Sequence, residues 1–320
     1  MTADLAAPLL RLAPQHRVRV WGGQRLATAD PPIGEAWVAY DGSVVVGGPW
    51  DGITLERVAE AAPEWLLGPD VIGRAGVRVP LLVKFLDTGD WLSVQVHPTD
   101  ADAERLVGPG ELGKTEAWHV IEADPAGVGR VGVHRGTTAE TLASAIRNGN
   151  VLDLLVPHAF QPGQTVLVPA GTLHTIGPGV LLYEVQQASD ATFRAWDWDR
   201  PAAPDRPLHL EQAIAAADVA GAMVVCPPPD LRGTAGTTVA RCDAFVLDLL
   251  QIEDVPLRGD TAGRSFKMLT VVGGRCRVAT DEAAVELEAR ETVLVAAGTG
   301  PYRIAPLAGS ARVLRASVPS

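Results

Sequence analysis

The sequence predicts a mainly β protein made of two similar β domains with a few short helices. Short valine-rich runs that end at Gly, Pro or Asp dominate the chain and are typical of strands. The 33 glycines and 25 prolines among 320 residues indicate many turns. A strand-turn-strand sequence also occurs twice, once in each half of the chain.

The valine-rich runs follow one another closely, which favours a sandwich or a barrel-like double sheet. In chain order they read VVVGGP, VPLLVKFLD, WLSVQV, AWHVIEA, RVGVH, QTVLVPAG, VLLYEVQQ, AFVLDLL, KMLTVVGG, CRVAT, ETVLVAAG and RVLRA.

Three segments have apolar residues at helical spacing. Segment 55–62 (LERVAEAA) follows Thr54, which can cap its first turn. Segment 138–149 begins with a threonine and ends at a glycine, a residue that commonly ends helices. Segment 207–219 is the third, and 152–156 predicts a further short helical turn.

The repeated unit is QTVLVPAGTLHTIG in the first half and ETVLVAAGTGPYRI in the second. The first copy contains His174, whereas the second has Gly300, Pro301 and Tyr302 at the matching place. We therefore expect a metal in the first domain only. The prolines at 227–229 mark the boundary, which gives domains 1–226 and 230–320. Within the second, KMLTVVGGRCRVAT predicts a hairpin with Gly273 and Gly274 at its turn.

Composition excludes several classes of protein. A net charge of −11 and a pI near 5.1 argue against nucleic-acid or anionic-membrane partners. Three distant cysteines, Cys226, Cys242 and Cys276, define no disulfide framework and no cysteine-based zinc motif. Because no targeting segment or membrane span is evident, we expect a soluble cytoplasmic protein. The sequence leaves open whether it is a monomer or a homodimer.

The stretch LSVQVHP (92–98) alternates, so Ser93, Gln95 and His97 share one face of a strand. Glu116 begins a later strand, and His174 follows the turn PAG. Two imidazoles, a carboxylate and an amide oxygen suit a divalent cation such as Zn²⁺, with one position left open. Ordinary polar residues near turns are the alternative, and the spacing leaves both interpretations open.

The motif G-x-G-x-x-G at 127–132 is typical of dinucleotide-binding loops. Such a loop needs a helix that opens at the last glycine, but another strand-like run, VGVH, follows here. We therefore interpret the motif as a hairpin loop.

Three cations are candidates for a local positive pocket. Lys84 lies in VKFLD, Lys114 lies two residues before Glu116, and Arg194 lies four residues after Asp190. Each has a structural alternative, such as a side chain that reaches towards solvent or a simple ion pair. Lysine, unlike arginine, can serve as a general base, which draws attention to Lys114.

With these residues in view, the chain resembles the type I mannose-6-phosphate isomerases, and most of all their short bacterial form. The resemblance covers nearly the whole chain, and the motifs are specific as an ordered set. They are RVWGGQRL (19–26), IGEAWVAY (33–40), VKFLDTGDWLSVQVHP (83–98), GKTEAWHV (113–120) and VPAGTLHTIGPGVLLYEVQQASDATFRAWDWDR (168–200).

The resemblance implies cupin-like double-stranded β-helix (jelly-roll) domains, the first of which binds one zinc ion per chain. It places the zinc ligands on four residues and the active-site arginine on Arg194, with Asp190 near it. The lysine beside the zinc glutamate falls on Lys114, and the residues for the phosphate fall on Lys84 and Ser93. The four ligands are Gln95, His97, Glu116 and His174.

The implied reaction interconverts D-mannose 6-phosphate and D-fructose 6-phosphate through a cis-enediol. Lys114 is the expected proton carrier, and a water on the zinc is the alternative. His119 stands where an aromatic such as Tyr is expected, and as it is three residues from Glu116 it should point away from the metal. Two other functions fit less well: an Fe²⁺-dependent dioxygenase and a non-catalytic sugar-phosphate-binding protein.

Overall fold

A computed structural model describes residues 7–201, 203–204, 206–232 and 234–319. Residues 1–6, on which the expectation about targeting rests in part, lie outside this range. Among the described residues, no helix is long and apolar enough to cross a membrane.

Antiparallel strands dominate the fold, which confirms the prediction of a mainly β protein. The strands are β1 (Leu9–Leu12), β2 (Gln15–Gly23), β3 (Ile33–Ala39), β4 (Leu81–Thr88), β5 (Val94–Val96), β6 (Glu116–Ala123), β7 (Val128–Val133), β8 (Leu155–Ala159), β9 (Thr165–Val168), β10 (His174–Ile176), β11 (Val180–Gln187), β12 (Phe193–Trp196), β13 (Val224–Cys226), β14 (Gly236–Arg241), β15 (Val246–Ile252), β16 (Leu257–Asp260), β17 (Lys267–Gly273), β18 (Cys276–Ala279), β19 (Ala284–Leu287), β20 (Thr292–Val295), β21 (Pro301–Pro306) and β22 (Ala311–Ser317).

The α-helices are short and lie between strands. They are α1 (Leu55–Ala61), α2 (Pro63–Leu66), α3 (Pro69–Ala75), α4 (Asp100–Leu106), α5 (Ala139–Asn148) and α6 (Leu210–Ala216). Single 3₁₀ turns occur at Gly48–Trp50, Val151–Leu154 and Ala297–Thr299.

Helices α1, α5 and α6 and the turn at Val151–Leu154 confirm the helical predictions. Thr138 caps α5, since its side chain accepts a hydrogen bond from the backbone N–H of Thr141. The helix ends at Gly149, whose φ of 75° is unfavourable for residues with a Cβ. Helix α4 was not predicted, although Thr99 caps it in the same way through the N–H of Asp102.

The chain divides into two compact units, and each is discontinuous in sequence. One unit contains residues 7–15, 37–84 and the described part of 229–320, and the other contains 16–36 and the described part of 85–228. One border falls between Pro228 and Pro229, at the predicted proline boundary. The assignment of domains to 1–226 and 230–320 stays a prediction.

The unit that contains 85–228 is built on two antiparallel sheets. One has the strand order β12-β5-β10-β7-β8, and the other has the order β13-β9-β6-β11-β4-β2-β3. The border between the two units falls within strands β3 and β4, so each of these strands contributes to both units. Apolar side chains from both sheets, among them Trp118, Val131, Ile176 and Leu182, form a shared buried core. This double sheet agrees with the predicted jelly-roll architecture.

The shared core changes from apolar to polar along the strands. On β6 the core-facing side chains Trp118 and Val120 are preceded by Glu116, two residues earlier on the same face. On the neighbouring β11, Leu182 is followed by Glu184 and Gln186 on that face. We call this region the polar end of the core, and it is where the candidate site lies.

The unit that contains 229–320 repeats this plan with the strand orders β1-β20-β17-β22-β15-β14 and β16-β21-β18-β19. The two copies of the repeat, β9-turn-β10 and β20-turn-β21, both lead from one sheet of a unit to the other. They are therefore equivalent corners of two similar double sheets, as the sequence predicts.

Two predictions about turns were wrong. Strands β17 and β18 do not form a hairpin, because β17 pairs with β20 and β22 whereas β18 pairs with β19 and β21. Gly274 lets the chain pass between the sheets: its φ is 68°, and a Cβ there would lie 2.2 Å from the carbonyl oxygen of Ser310. The G-x-G-x-x-G motif is not a hairpin loop either, as most of it forms strand β7.

Candidate metal centre

Three side chains converge at the polar end of the core. His97, Glu116 and His174 each offer one donor atom, and these atoms lie within 4.8 Å of one another. The Nε2 atoms of His97 and His174 are each 3.3 Å from a carboxylate oxygen of Glu116, and all three side chains are buried. The structure thus brings together three of the four predicted metal ligands.

Strand pairing explains this convergence. His97 directly follows β5, and His174, the first residue of β10, lies opposite Gln95 of β5 in the antiparallel register. Glu116 is the first residue of β6 in the other sheet, so its carboxylate faces the two imidazoles across the core. Trp118, two residues further along β6, holds the His174 ring edge-to-face at 5.3 Å between centroids.

Backbone carbonyl groups fix both imidazole rings. Nδ1 of His97 lies 3.0 Å from the carbonyl oxygen of Ala191, and Nδ1 of His174 lies 2.9 Å from that of Thr172. A carbonyl only accepts, so each Nδ1 carries the hydrogen and each ring turns its Nε2 towards the cluster. Such carbonyl partners commonly orient histidine ligands of metals.

The protonation states also suit a metal. Burial, followed by the nearby Lys114 ammonium, lowers the pKa of His97 to about 3, so the imidazole is neutral. Burial opposes the ionisation of Glu116, but the charge of the adjacent Lys114 ammonium outweighs it and holds the pKa of Glu116 well below its usual value. Metals bind neutral imidazole and ionised carboxylate.

The three donor side chains already have a cationic side chain, that of Lys114, beside them. Nζ of Lys114 lies 2.9 Å from Nε2 of His97 and 2.9 Å from Oε2 of Glu116, in a buried position. Oε2 of Glu116 lies beside this ammonium, but it makes no hydrogen bond of acceptable geometry with any described residue. Two imidazole nitrogens and a carboxylate with an incompletely satisfied oxygen fit Zn²⁺, which takes these ligands in catalytic sites.

Gln95 borders the cluster through its amide nitrogen. Its Nε2 lies 3.2 Å from Nε2 of His174, while its Oε1 accepts a hydrogen bond from the Ser93 hydroxyl at 3.3 Å. A role as metal ligand requires the amide to turn so that the oxygen faces the cluster. The assignment of Gln95 as the fourth ligand stays a prediction.

Arg194 lies in the same row of the sheet. It is opposite Gln95 in the pairing of β12 with β5, so Arg194, Gln95 and His174 share a face across three neighbouring strands. Its Nε is buried without a hydrogen-bond partner among the described residues. Burial and the nearby Arg206 lower the pKa of Arg194, and the charge of the exposed Asp190 acts in the opposite direction.

His209 holds the backbone of Arg194 in place. The His209 backbone N–H donates to the carbonyl oxygen of Arg194 at 2.8 Å, and the Arg194 N–H donates to Nδ1 of His209 at 3.3 Å.

Ser93 is buried two residues before Gln95, and Lys84 is 5% exposed on β4. The phosphate contacts predicted for these last two residues stay predictions.

Glu184 and Gln186 also lie at the polar end of the core, although the sequence did not predict them as site residues. Both are buried, and they lie opposite Trp118 and Glu116 in the pairing of β11 with β6. Their alternation in VLLYEVQQ shows that they share a face, but it does not say that this face is the interior. His119 lies on the other face of β6, 2.9 Å from the Thr165 hydroxyl and outside the cluster, as expected.

Comparisons with known proteins agree on one family. The family model "Phosphomannose isomerase type I, catalytic domain" matches residues 9–115. A mannose-6-phosphate isomerase of Streptococcus mutans is 34% identical over 288 residues, which cover 86% of this chain and 87% of that protein. The solved structure of mannose 6-phosphate isomerase from Bacillus subtilis is 28% identical and has a TM-score of 0.78 over 97% of this chain and 99% of that chain.

A further solved structure shares the fold at 17% identity. It is a mannose 6-phosphate isomerase bound with zinc and yttrium, with a TM-score of 0.77 over 98% of this chain and 100% of that chain.

Proposed function

The chain belongs to the mannose-6-phosphate isomerase family, and from this premise we propose that it interconverts D-mannose 6-phosphate and D-fructose 6-phosphate with one zinc ion. The observation that supports this proposal most directly is the buried cluster of His97, Glu116 and His174, whose imidazole rings have the orientation of metal ligands. The proposal includes a cytoplasmic location, as a monomer or a homodimer.

His97, Glu116 and His174 would hold the zinc, and Gln95 is the candidate for a fourth ligand. When bound, zinc supplies a Lewis acid that stabilises negative charge on the oxygens at C1 and C2 of the sugar. The same donors suit iron, but the family relatives are named as isomerases, and a relative of the same fold is described as bound with zinc.

Lys114 is the proposed proton carrier. An aldose–ketose isomerisation removes the proton from C2 and returns a proton to C1, so one group on one face of the sugar can do both. In the structure the Lys114 ammonium is paired with His97 and Glu116. His97 and Glu116 would hold the metal with the same atoms that now contact Lys114, and the Lys114 side chain would then be available to the substrate.

Arg194 is proposed to stabilise the enediolate. Its buried Nε lacks a hydrogen-bond partner among the described residues and can therefore donate to an oxygen that becomes negative during the reaction. Asp190 would favour the charged guanidinium, in line with its effect on the pKa of Arg194. Lys84 and Ser93 would bind the phosphate, and this remote binding would position the reacting carbons.

A coupled assay with mannose 6-phosphate, run with and without a chelator, tests the proposal. We expect turnover that chelation abolishes and added Zn²⁺ restores. Full activity in metal-free protein would exclude the metal from the reaction. Thermal stabilisation by mannose 6-phosphate without turnover would instead indicate a sugar-phosphate-binding protein.

A further inference from the structure

Gln186 carries a fully buried side chain at the polar end of the core. It is 0% exposed and lies directly opposite Glu116 in the pairing of β11 with β6. Cross-strand partners project from the same face of a sheet. The Gln186 side chain therefore lies on the same interior face as the carboxylate that belongs to the candidate metal cluster.

The last residue of β11 and the loop that follows it fix the orientation of the Gln186 amide. Its Nε2 donates to the carbonyl oxygen of Ser189 at 2.6 Å and to that of Gln187 at 3.0 Å. Both partners only accept, so the nitrogen must face them and both of its hydrogens are used. The amide cannot turn over without losing two hydrogen bonds, and Oε1 is thereby held as an acceptor.

This acceptor has no partner within the described part of the chain. Buried polar atoms in proteins are nearly always hydrogen-bonded, and an unpaired one at a functional site indicates a missing donor. The cross-strand neighbour Glu116 gives it no hydrogen bond. A donor from outside the described residues is therefore needed, and the hydroxyl groups of a sugar are O–H donors of the required kind.

We infer that Oε1 of Gln186 accepts a hydrogen bond from one hydroxyl group of the bound sugar phosphate. This inference rests on the proposed function and adds to it a residue that recognises the sugar rather than its phosphate. A fixed buried acceptor discriminates against an analogue that lacks the hydroxyl, because the analogue leaves the acceptor unpaired.

The test is a double-mutant cycle. The Gln186 side chain and single hydroxyl groups of the ligand are removed separately and then together. Mannitol 6-phosphate has no carbonyl group and cannot isomerise, so calorimetry on zinc-loaded protein measures its binding alone. Analogues that lack a single hydroxyl are compared with it. For one of them we expect about a fivefold to tenfold loss of affinity in the wild type and less than about a twofold loss in Gln186→Leu.

The cycle separates recognition from a structural role. A loop displaced by the loss of the Ser189 and Gln187 contacts weakens every analogue by the same factor and leaves the discrimination unchanged. Gln164→Leu is the matched control, since it removes another buried glutamine, whose Nε2 lies 3.0 Å from His158. It should keep the wild-type discrimination. If Gln186→Leu does not fold, Gln186→Met takes its place with the same expectation.

The outcomes for the inference and for the function differ. If the wild type binds mannitol 6-phosphate but Gln186→Leu discriminates among the analogues as the wild type does, Gln186 contacts no ligand hydroxyl and an ordered water is its partner. The inference is then wrong while the proposed function stands. If the wild type binds none of the compounds, the proposed function itself fails.

Discussion

His174 lies directly opposite Gln95 in the antiparallel pairing of β10 with β5, and 3.2 Å separates their Nε2 atoms although 79 positions separate the residues in sequence. The pairing brings a residue from the turn after β9 next to the alternating stretch that contains His97. The candidate metal cluster is thus a consequence of sheet register, and a shift of one residue would turn His174 away from it.

Replacement of either histidine by alanine should abolish stable metal binding. Each imidazole supplies one of three convergent donors, so we expect His97→Ala and His174→Ala to weaken zinc binding by at least about a hundredfold. Metal content after dialysis, measured by mass spectrometry, checks this. His134→Ala, which changes an exposed histidine outside the cluster, is the control and should retain zinc. Stoichiometric zinc in either variant would show that the ligand assignment is wrong.

Replacement of Gln95 tests whether its amide oxygen reaches the metal. In the structure that oxygen accepts from Ser93 and the nitrogen faces His174. If the amide turns when metal binds, Gln95→Leu should weaken zinc binding by about tenfold to a hundredfold, and Gln95→Glu should recover much of the affinity. Competition with a zinc indicator of known affinity measures the effect. Equal affinities for the wild type and Gln95→Leu would remove Gln95 from the ligand set.

Much of this site can be predicted from the sequence, because the alternation of polar and apolar residues along a strand and the residues that form turns are local features of the chain. The stretch LSVQVHP places Ser93, Gln95 and His97 on one face with no knowledge of the partner strand, and the structure has them so. The repeated strand-turn-strand unit likewise predicts the corner that carries His174. What the pattern leaves open is whether a polar face meets solvent or an interior, and here the resemblance to a known family supplied the answer.

The residues missed by sequence analysis depend on contacts between distant segments. Glu184 and Gln186 have the alternation of a half-exposed strand, and only the pairing of β11 with β6 shows that their face is buried. The predicted hairpin at Gly273 and Gly274 failed for a similar reason. A pair of glycines permits a sharp turn, but the strand partners decide whether the chain folds back or passes to another sheet.

Removal of the Lys114 amine should stop proton transfer and leave the metal in place. General-base groups contribute about a hundredfold to ten-thousandfold to rate, so we expect Lys114→Met to lower kcat within that range. Its zinc content should stay at the wild-type level, because the three metal donors are untouched. Lys114→Arg keeps the charge without an effective base and should be nearly as slow. If Lys114→Met keeps the kcat of the wild type, another group carries the proton.

Removal of the Arg194 guanidinium should slow the reaction without changing metal content. The loss of one preorganised donor to a developing oxyanion typically costs about a hundredfold to a thousandfold in kcat, and we expect a decrease of this size in Arg194→Ala. Steady-state kinetics together with zinc analysis separate this effect from loss of the metal. Arg147→Ala is the matched control, since it removes an exposed arginine paired with Glu211 on the surface, and it should leave kcat unchanged.

Arg194→Lys refines the test of this residue. A lysine keeps the positive charge but not the fixed planar donors of a guanidinium, so partial recovery of kcat is expected if charge stabilisation is the main contribution. Recovery close to the wild type would mean that the orientation of the donors matters little. If Arg194→Ala instead raises KM and leaves kcat unchanged, the guanidinium binds the substrate equally in the ground and transition states and does not stabilise the enediolate.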